Sequence, residues 1–460
     1  MTSAFDTATN AAEAIRAKQI SAAELVELTF QRIDRFNPQL NAIIWQNRDA
    51  ALARAKDADR ALAGGRAWGP LHGVPITIKE SFAYRGSANA WGLPQLKDAI
   101  SPRTAVAVER LEASGAIVVG KTNVPVMLGD WQTNNPIHGA TNNPWDVART
   151  PGGSTGGGAA AVAAGLGCLT IGSDLAGSIR IPAHFCGVYG HKPSLNLVSM
   201  AGFQPGPWDG SPGYPMDLAV VGPLARSARD LALALHVLGG VDAGDAAAWT
   251  WKMPPPRHTR LEDFRIGCVF EDSMAPVTAD VGVVYQEVLS ALGRTGLKLK
   301  QGYPEGLDIP AQLKTFTLLL TAMVNAENVV DPHIRWLQAS QHRLAVRALW
   351  QSYFESHDVV LLPTTITAAF PHDHSEPIGT RTIDTPEGKR PYLQQVPYWI
   401  TFASLAGIPA TVAPVGLTRR GLPVGIQILA PMWEDATSIE FAALLAERIG
   451  GFTPPPAFAV

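Results

Sequence analysis

Cysteine is scarce in this chain. Cys168, Cys186 and Cys268 are the three it has among 460 residues, too few and too widely spaced for a disulfide framework or a CxxC metal site. Long apolar runs are missing as well: no stretch of about eighteen consecutive apolar residues occurs, so no helical membrane span is expected. The opening "MTSAFDTATNAAEAIRAKQ" has no basic segment followed by an apolar core, so no secretory leader is expected. Charge of one sign is lacking too. A formal net charge of −3 offers neither a basic face for nucleic acid nor attraction to an anionic membrane. With 46% hydrophobic and 17% charged residues, what remains is a globular protein expected in the cytoplasm.

What is present reads as alternating helices and strands. "SAAELVELTFQRIDRF" opens with Ser21 three residues before Glu24, a capping box, and continues with apolar residues at helical spacing. "GVPITI", ending just before Lys79, is a β-branched run and reads as a buried strand; "TAVAVERLEASG" then "AIVVG" read as a helix and a strand. "AAAVAAGLG", "ARDLALALHVLGG", "ADVGVVYQEVLSALGRTG" and "ATSIEFAALLAERIG" are expected helices; "FRIGCVF", "DVVLLP", "IPATVAPVG" and "PVGIQILA" are expected strands. Such alternation predicts an α/β protein, a single α/β/α domain over residues 1–460 with a large mixed β-sheet flanked by helices. The proline-rich "GDAAAWTWKMPPPRHTRLEDF" is the most plausible internal boundary. Cys186 and Cys268 are expected in apolar strands of the core.

The stretch demanding a chemical explanation is "PGGSTGGGAA", residues 151–160. A phosphate-binding loop would place a lysine after the glycines, whereas Ala159 to Ala161 follow. Gly152-Gly153-Ser154-Thr155-Gly156 fits the Gly-x-Ser-x-Gly nucleophile elbow, but that turn needs a strand directly before it, and "TNNPWDVART" is a polar loop. An elbow serine would also need an acid and a histidine, for which Asp358 with His372 or His374 are the candidates. A second glycine-flanked serine lies downstream, Ser178 in "GSDLAGSIRIPAHFCGVYGHKPS". Glycine before serine lets backbone N–H groups converge near the hydroxyl, as an oxyanion hole requires. Two such serines with a lysine ending a buried strand suggest a serine nucleophile served by a lysine base, which works only when desolvated enough to be neutral.

These runs together resemble the amidase signature family. The likeness extends from "GPLHGVPITIKES" through "GKTNVPVM", "TNNPWDVARTPGGSTGGGAAAVAAG" and "GSDLAGSIRIPAHFCGVYGHKP" to "DLAVVGPLARSARDLALAL" and "GIPATVAPVG…GLPVGIQILA". It implies a Ser–cis-Ser–Lys triad carried by Ser178, Ser154 and Lys79, with Ser154 in a cis peptide relaying a proton. It also implies an oxyanion hole from the N–H groups of Leu175, Ala176, Gly177 and Ser178. Thr155, Asp174 and Arg180 would support the site, the last two as a structural pair. Residues 60–230 would hold the conserved catalytic core, and residues 300–357 a variable wall or lid of the substrate pocket. The chain departs from the family pattern at Thr155 (usually serine), Ala176 (more often glycine) and Val126 (frequently acidic).

The resemblance implies hydrolysis of small or aryl acyl amides through a Ser178 acyl-enzyme, with ester and carbamate (urethane) cleavage alongside, as in bacterial aryl-acylamidases and urethane-cleaving amidases. The alternatives are a Ser-His-Asp hydrolase and a glutamine-hydrolysing subunit of an amidotransferase. Met127 and Leu128 are pocket candidates by their place relative to the family's channel, Trp131 and Trp208 by their glycine- and proline-rich loops. His372-Asp373-His374 has metal-like spacing without the further ligands a metal hydrolase needs. No metal or cofactor is expected, the partner being a small-molecule amide, ester or carbamate; a homodimer is left open.

Overall fold

The computed structural model describes residues 4–211, 216–297, 299–324 and 333–459. Residues 325–332, within the expected pocket region 300–357, lie outside the described residues. Eleven strands form one mixed sheet. In chain order they are β1 (Ile43–Trp45), β2 (Pro75–Lys79), β3 (Ile117–Thr122), β4 (Leu169–Asp174), β5 (Tyr189–Lys192), β6 (Val220–Ala225), β7 (Ile266–Cys268), β8 (Leu299–Gln301), β9 (Val359–Pro363), β10 (Ala410–Leu417) and β11 (Pro423–Leu429). Their order across the sheet is β1-β3-β2-β4-β6-β5-β10-β11-β9-β7-β8. The β3-β2-β4 and β9-β7-β8 runs are parallel and the remaining pairings antiparallel.

Alternation along β9 explains the layering. Val359 and Leu361 enter one hydrophobic core, while Val360 and Leu362 enter a second, because successive side chains of a strand point to opposite faces. Helices Ala22–Leu40, Arg48–Ala63, Ala228–Leu238 and Asp435–Ile449 close the first core; helices Ile309–Val324, His333–Ser356 and Thr401–Ala406 close the second. The expected capping box forms: Ser21 Oγ accepts from the Glu24 amide, and Glu24 reaches back to the Ser21 amide.

The sequence reading missed β1, β4, β5, β6 and β8. "LTIGSD" of β4 is buried on both faces and shows no alternation, and β6 carries Pro223 in its middle. Cys186 corrects an expectation: it ends the helix Arg180–Cys186 and lies in no strand. Gly187 then takes a left-handed conformation and stops that helix. The irregular segment after residue 244 does not separate two sheets, since β6 before it and β7 after it belong to the same one. Arg257 within it bonds to Glu434 and Asp358 on other elements.

Helix Gly156–Ala163 packs against β2 and β4 with no room to spare. A Cβ on Gly157 would stand 2.5 Å from the Asn123 amide nitrogen and 2.7 Å from its carbonyl oxygen. Gly157→Ala is therefore expected to lower the unfolding free energy by roughly 1–3 kcal/mol through overpacking. Gly282, inside helix Ala279–Arg294 with nothing within 4 Å of its Cβ position, is the control: Gly282→Ala should raise stability by about 0.5–1 kcal/mol. Urea titrations of both variants read the two signs.

Candidate active site

The chemistry gathers at the carboxyl ends of the parallel strands β2 and β4, the usual place for a site in an open α/β sheet. Lys79 ends β2, which is buried along its whole length. Its Nζ donates to Ser154 Oγ at 2.6 Å and to Ser173 Oγ at 2.9 Å. Lys79 is 0% exposed, Ser154 1% and Ser178 9%, so access from solvent rises from the lysine towards Ser178. Burial strips water from the ammonium and pulls its pKa down to about 7, against the opposing carboxylates of Asp174 and Glu80. A lysine so placed is partly neutral near pH 7.

Ser154 sits in the loop ahead of helix Gly156–Ala163, and the peptide joining Gly153 to Ser154 is cis. Gly153 is pressed against the chain at Asp130–Gln132, where any Cβ would overlap the carbonyl oxygens of both. Thr155 joins the two serine loops. Its amide donates to Ser178 O at 3.1 Å and its hydroxyl to Ser173 O at 3.4 Å. The Thr155 side chain fills the space over Gly172, where a Cβ would meet Thr155 Cγ2 at 2.5 Å.

Ser178 lies in the turn between β4 and helix Arg180–Cys186, and Asp174 shapes that turn. The Asp174 carboxylate accepts the amides of Gly177 (2.9 Å), Ile179 (3.1 Å) and Arg180 (3.2 Å). It also takes two bonds from the Arg180 guanidinium, Nε at 3.0 Å and Nη2 at 2.8 Å. Desolvation alone would raise the Asp174 pKa, but the Arg180 charge and hydrogen bonds outweigh it and hold it at about 2. Arg180 continues to Ile400 O (2.8 Å), Gln427 Oε1 (2.6 Å) and Ser404 Oγ (2.7 Å). The pair thus ties the turn that carries Ser178 to distant parts of the chain.

Of the four amides expected to form an oxyanion hole, the Gly177 N–H donates to Asp174 Oδ1. That leaves the amides of Leu175, Ala176 and Ser178 as candidate donors. Gly177 has φ +91°, and a Cβ there would also press on Ile181 and Ile400, so glycine is needed for the turn itself.

The four pocket candidates divide. Trp131 lies against the Ser178 turn, its indole Nε1 donating to Ala176 O at 2.7 Å. Met127 is 44% exposed in a turn whose amide bonds to Trp91 O, and Leu128 packs on the first core. Trp208 is buried in that same core, its indole donating to Ser211 O. None of these three hydrogen-bonds to a serine loop among the described residues. Among the described residues no hydrogen bond joins His372 or His374 to Asp358, Ser154 or Ser178. Asp358 is taken up by Arg257, Arg265 and His258, and His372 Nε2 faces Asn142 Oδ1. Among the described residues no three His, Cys, Asp or Glu side chains group as metal ligands, and no helix is long and apolar enough to cross a membrane.

Sequence reasoning missed Ser173, the second hydroxyl on the lysine; its place beside Asp174 at a strand end was the available signal. It also missed two further buried lysines. Lys192 Nζ donates to Pro193 O and Ile408 O, and desolvation lowers its pKa to about 7. Lys121 Nζ donates to Ala88 O at 2.6 Å and to Ser87 Oγ at 3.3 Å, and burial lowers its pKa while the Glu80 carboxylate opposes. Neither bonds to a serine of the two glycine-flanked loops.

The Amidase family model matches residues 24–328 and 311–439. The indoleacetamide hydrolase of Bradyrhizobium diazoefficiens is 35% identical over 477 aligned positions, covering 96% of this chain and 86% of that protein. The acylamidase of Rhodococcus erythropolis is 31% identical, covering 95% and 94%. One subunit of the glutamyl-tRNA(Gln) amidotransferase of Acaryochloris marina is 31% identical, covering 92% and 94%. Among solved structures, a bacterial aryl acylamidase of the amidase signature family superposes with a TM-score of 0.80 at 24% identity, covering 99% of this chain and 98% of that one; this likeness is one of fold. The matched family model and the curated relatives establish that the chain belongs to the amidase family, the amidase signature group of amide hydrolases.

Proposed function

We propose that the chain hydrolyses small or aryl acyl amides through a Ser178 acyl-enzyme, with Ser154 and Lys79 as proton relay and base. The observation carrying this reading is the 2.6 Å bond from a fully desolvated Lys79 to Ser154. Ser178 Oγ attacks the amide carbon, its proton passes to Ser154 Oγ, and the Ser154 proton goes to Lys79 Nζ. The carbonyl oxygen takes the negative charge and is met by the amides of Leu175, Ala176 and Ser178. As the tetrahedral adduct collapses, the proton returns from Lys79 through Ser154 to the departing nitrogen, and the C–N bond breaks. Water, deprotonated along the same relay, then releases the carboxylic acid and restores Ser178. Esters and aryl carbamates present the same electrophilic carbon, so the same site is proposed to cleave them.

The amidotransferase component found with the relatives supports a second reading, in which the amide is glutamine and partner proteins receive the ammonia. The net charge of −3 disfavours tRNA contact by this chain. Steady hydrolysis of anilides by the isolated chain, unchanged by tRNA, is the outcome that favours the first reading.

Ser178→Ala should cut anilide turnover by roughly 10³-fold or more with the thermal unfolding midpoint nearly unchanged. Mass spectrometry of the native protein treated with a phosphonyl fluoride should locate the adduct on Ser178; an adduct on Ser154 would return the elbow reading.

The base must be neutral to act. Because the Lys79 pKa is lowered to about 7, kcat/KM should fall about tenfold per pH unit below that value and level off above it. Lys79→Ala should lose far more on an anilide than on a p-nitrophenyl ester, whose leaving group needs no proton. His372→Ala and His374→Ala should keep the native amide-to-ester ratio. Near-native anilide turnover in Lys79→Ala beside a dead histidine variant would overturn the mechanism.

A further inference from the structure

The peptide between Ala176 and Gly177 is gripped at both ends. Its N–H donates to Asp174 Oδ1 at 2.9 Å, and its carbonyl oxygen accepts from Trp131 Nε1 at 2.7 Å. A peptide unit is planar, so fixing its oxygen and its N–H fixes the rotation of the unit. The amides on either side, Ala176 N–H and Ser178 N–H, then take their directions from that plane. The grip of Asp174 belongs to the brace already described. The grip of Trp131 comes from a different part of the chain.

Trp131 is itself held. Its ring meets Tyr392 edge-on, with centroids 5.6 Å apart. The Tyr392 hydroxyl donates to Asp130 Oδ1 at 2.8 Å, and Arg381 Nη1 to Asp130 Oδ2 at 2.6 Å. Next along the chain, Gln132 exchanges two hydrogen bonds with the backbone of Asp373. A pocket wall needs only the ring's surface. An indole N–H aimed at a carbonyl of the nucleophile turn does more.

We infer that Trp131 is a positioning residue of the oxyanion hole, acting through the Ala176 carbonyl, with Tyr392, Asp130 and Arg381 holding the indole. The inference rests on the proposed role of Ser178. Removing the indole donor frees the peptide to rotate and misdirects the flanking amides. The charge developing on the substrate oxygen loses stabilisation, whereas the neutral substrate loses little.

Trp131→Phe keeps an aromatic ring and removes the donor. The test compares wild type and variant in kcat and KM for one anilide, and in affinity for an aryl trifluoromethyl ketone. Ser178 Oγ adds to that ketone's carbonyl carbon, the serine proton leaves through Ser154 to Lys79, and the carbonyl oxygen becomes an oxyanion in the same hole. Expected is a loss of roughly 10- to 100-fold in kcat with KM within about twofold, and a matching loss in ketone affinity. A raised KM with unchanged kcat and ketone affinity would make Trp131 a pocket wall and overturn the inference. Should Trp131→Phe fail to fold, Tyr392→Phe carries the test; it should give the same pattern, smaller, and an unchanged kcat and ketone affinity there would overturn the inference. Phosphonyl labelling of wild type and variant, located by mass spectrometry, keeps the two readings apart. An adduct away from Ser178 defeats the Ser178 reading itself, whereas an adduct on Ser178 with native ketone affinity in the variant defeats only the role of Trp131.

Discussion

The turn that carries Ser178 depends on one buried ion pair, Asp174 with Arg180. A lone carboxylate in this position would be costly, and so would a lone guanidinium, since desolvation of either charge costs several kcal/mol. Here the cost is offset because both groups are fully partnered. Three backbone amides and two guanidinium nitrogens converge on Asp174, and Arg180 directs its other N–H groups to Ile400, Ser404 and Gln427. Gln427 stands on β11, well along the sheet from β4. The turn bearing Ser178 is therefore braced by residues more than two hundred positions away, and the C-terminal part of the sheet has a part in the site.

The second constraint is the lysine. Placing Nζ at the end of a fully buried strand removes the water that would keep it charged, and two serine hydroxyls take its hydrogen bonds. Lys192 is buried as completely and carries a similarly lowered pKa, yet its partners are backbone carbonyls. What separates a candidate base from a structural lysine is the group it faces. The carbonyl-bound lysine has no hydroxyl to deprotonate, whereas the serine-bound one lies one proton transfer from the Ser154 oxygen.

Much of this is legible in the sequence, and particular residues show why. Ser21 with Glu24, the β-branched run before Lys79 and the glycines of residues 152–158 carry local signals: a cap, a strand, a close approach. The helices Ala22–Leu40, Ala279–Arg294 and Asp435–Ile449 and the strands β9 to β11 are legible for the same reason, whereas the helices Arg48–Ala63, Ile309–Val324 and His333–Ser356 are absent from the sequence reading. The short strands β1, β5 and β8, and the proline-bearing β6, are not, because their pairing is imposed by neighbours distant in sequence. Cys186 misleads because an apolar run of that length serves a helix as well as a strand.

Residue types and order along the chain determined the class of chemistry: a lysine ending an apolar strand and two glycine-flanked serines, on a scaffold alternating helices and strands. Tertiary structure alone decided which groups meet. It gave Ser173 to the lysine, turned the Gly177 amide towards Asp174, and drew Trp131 onto the Ala176 carbonyl. It also sent Asp358 to a pair of arginines and left His372 facing an asparagine. Each of these is a matter of angle and separation across elements far apart in sequence, and hydrogen bonds depend steeply on both.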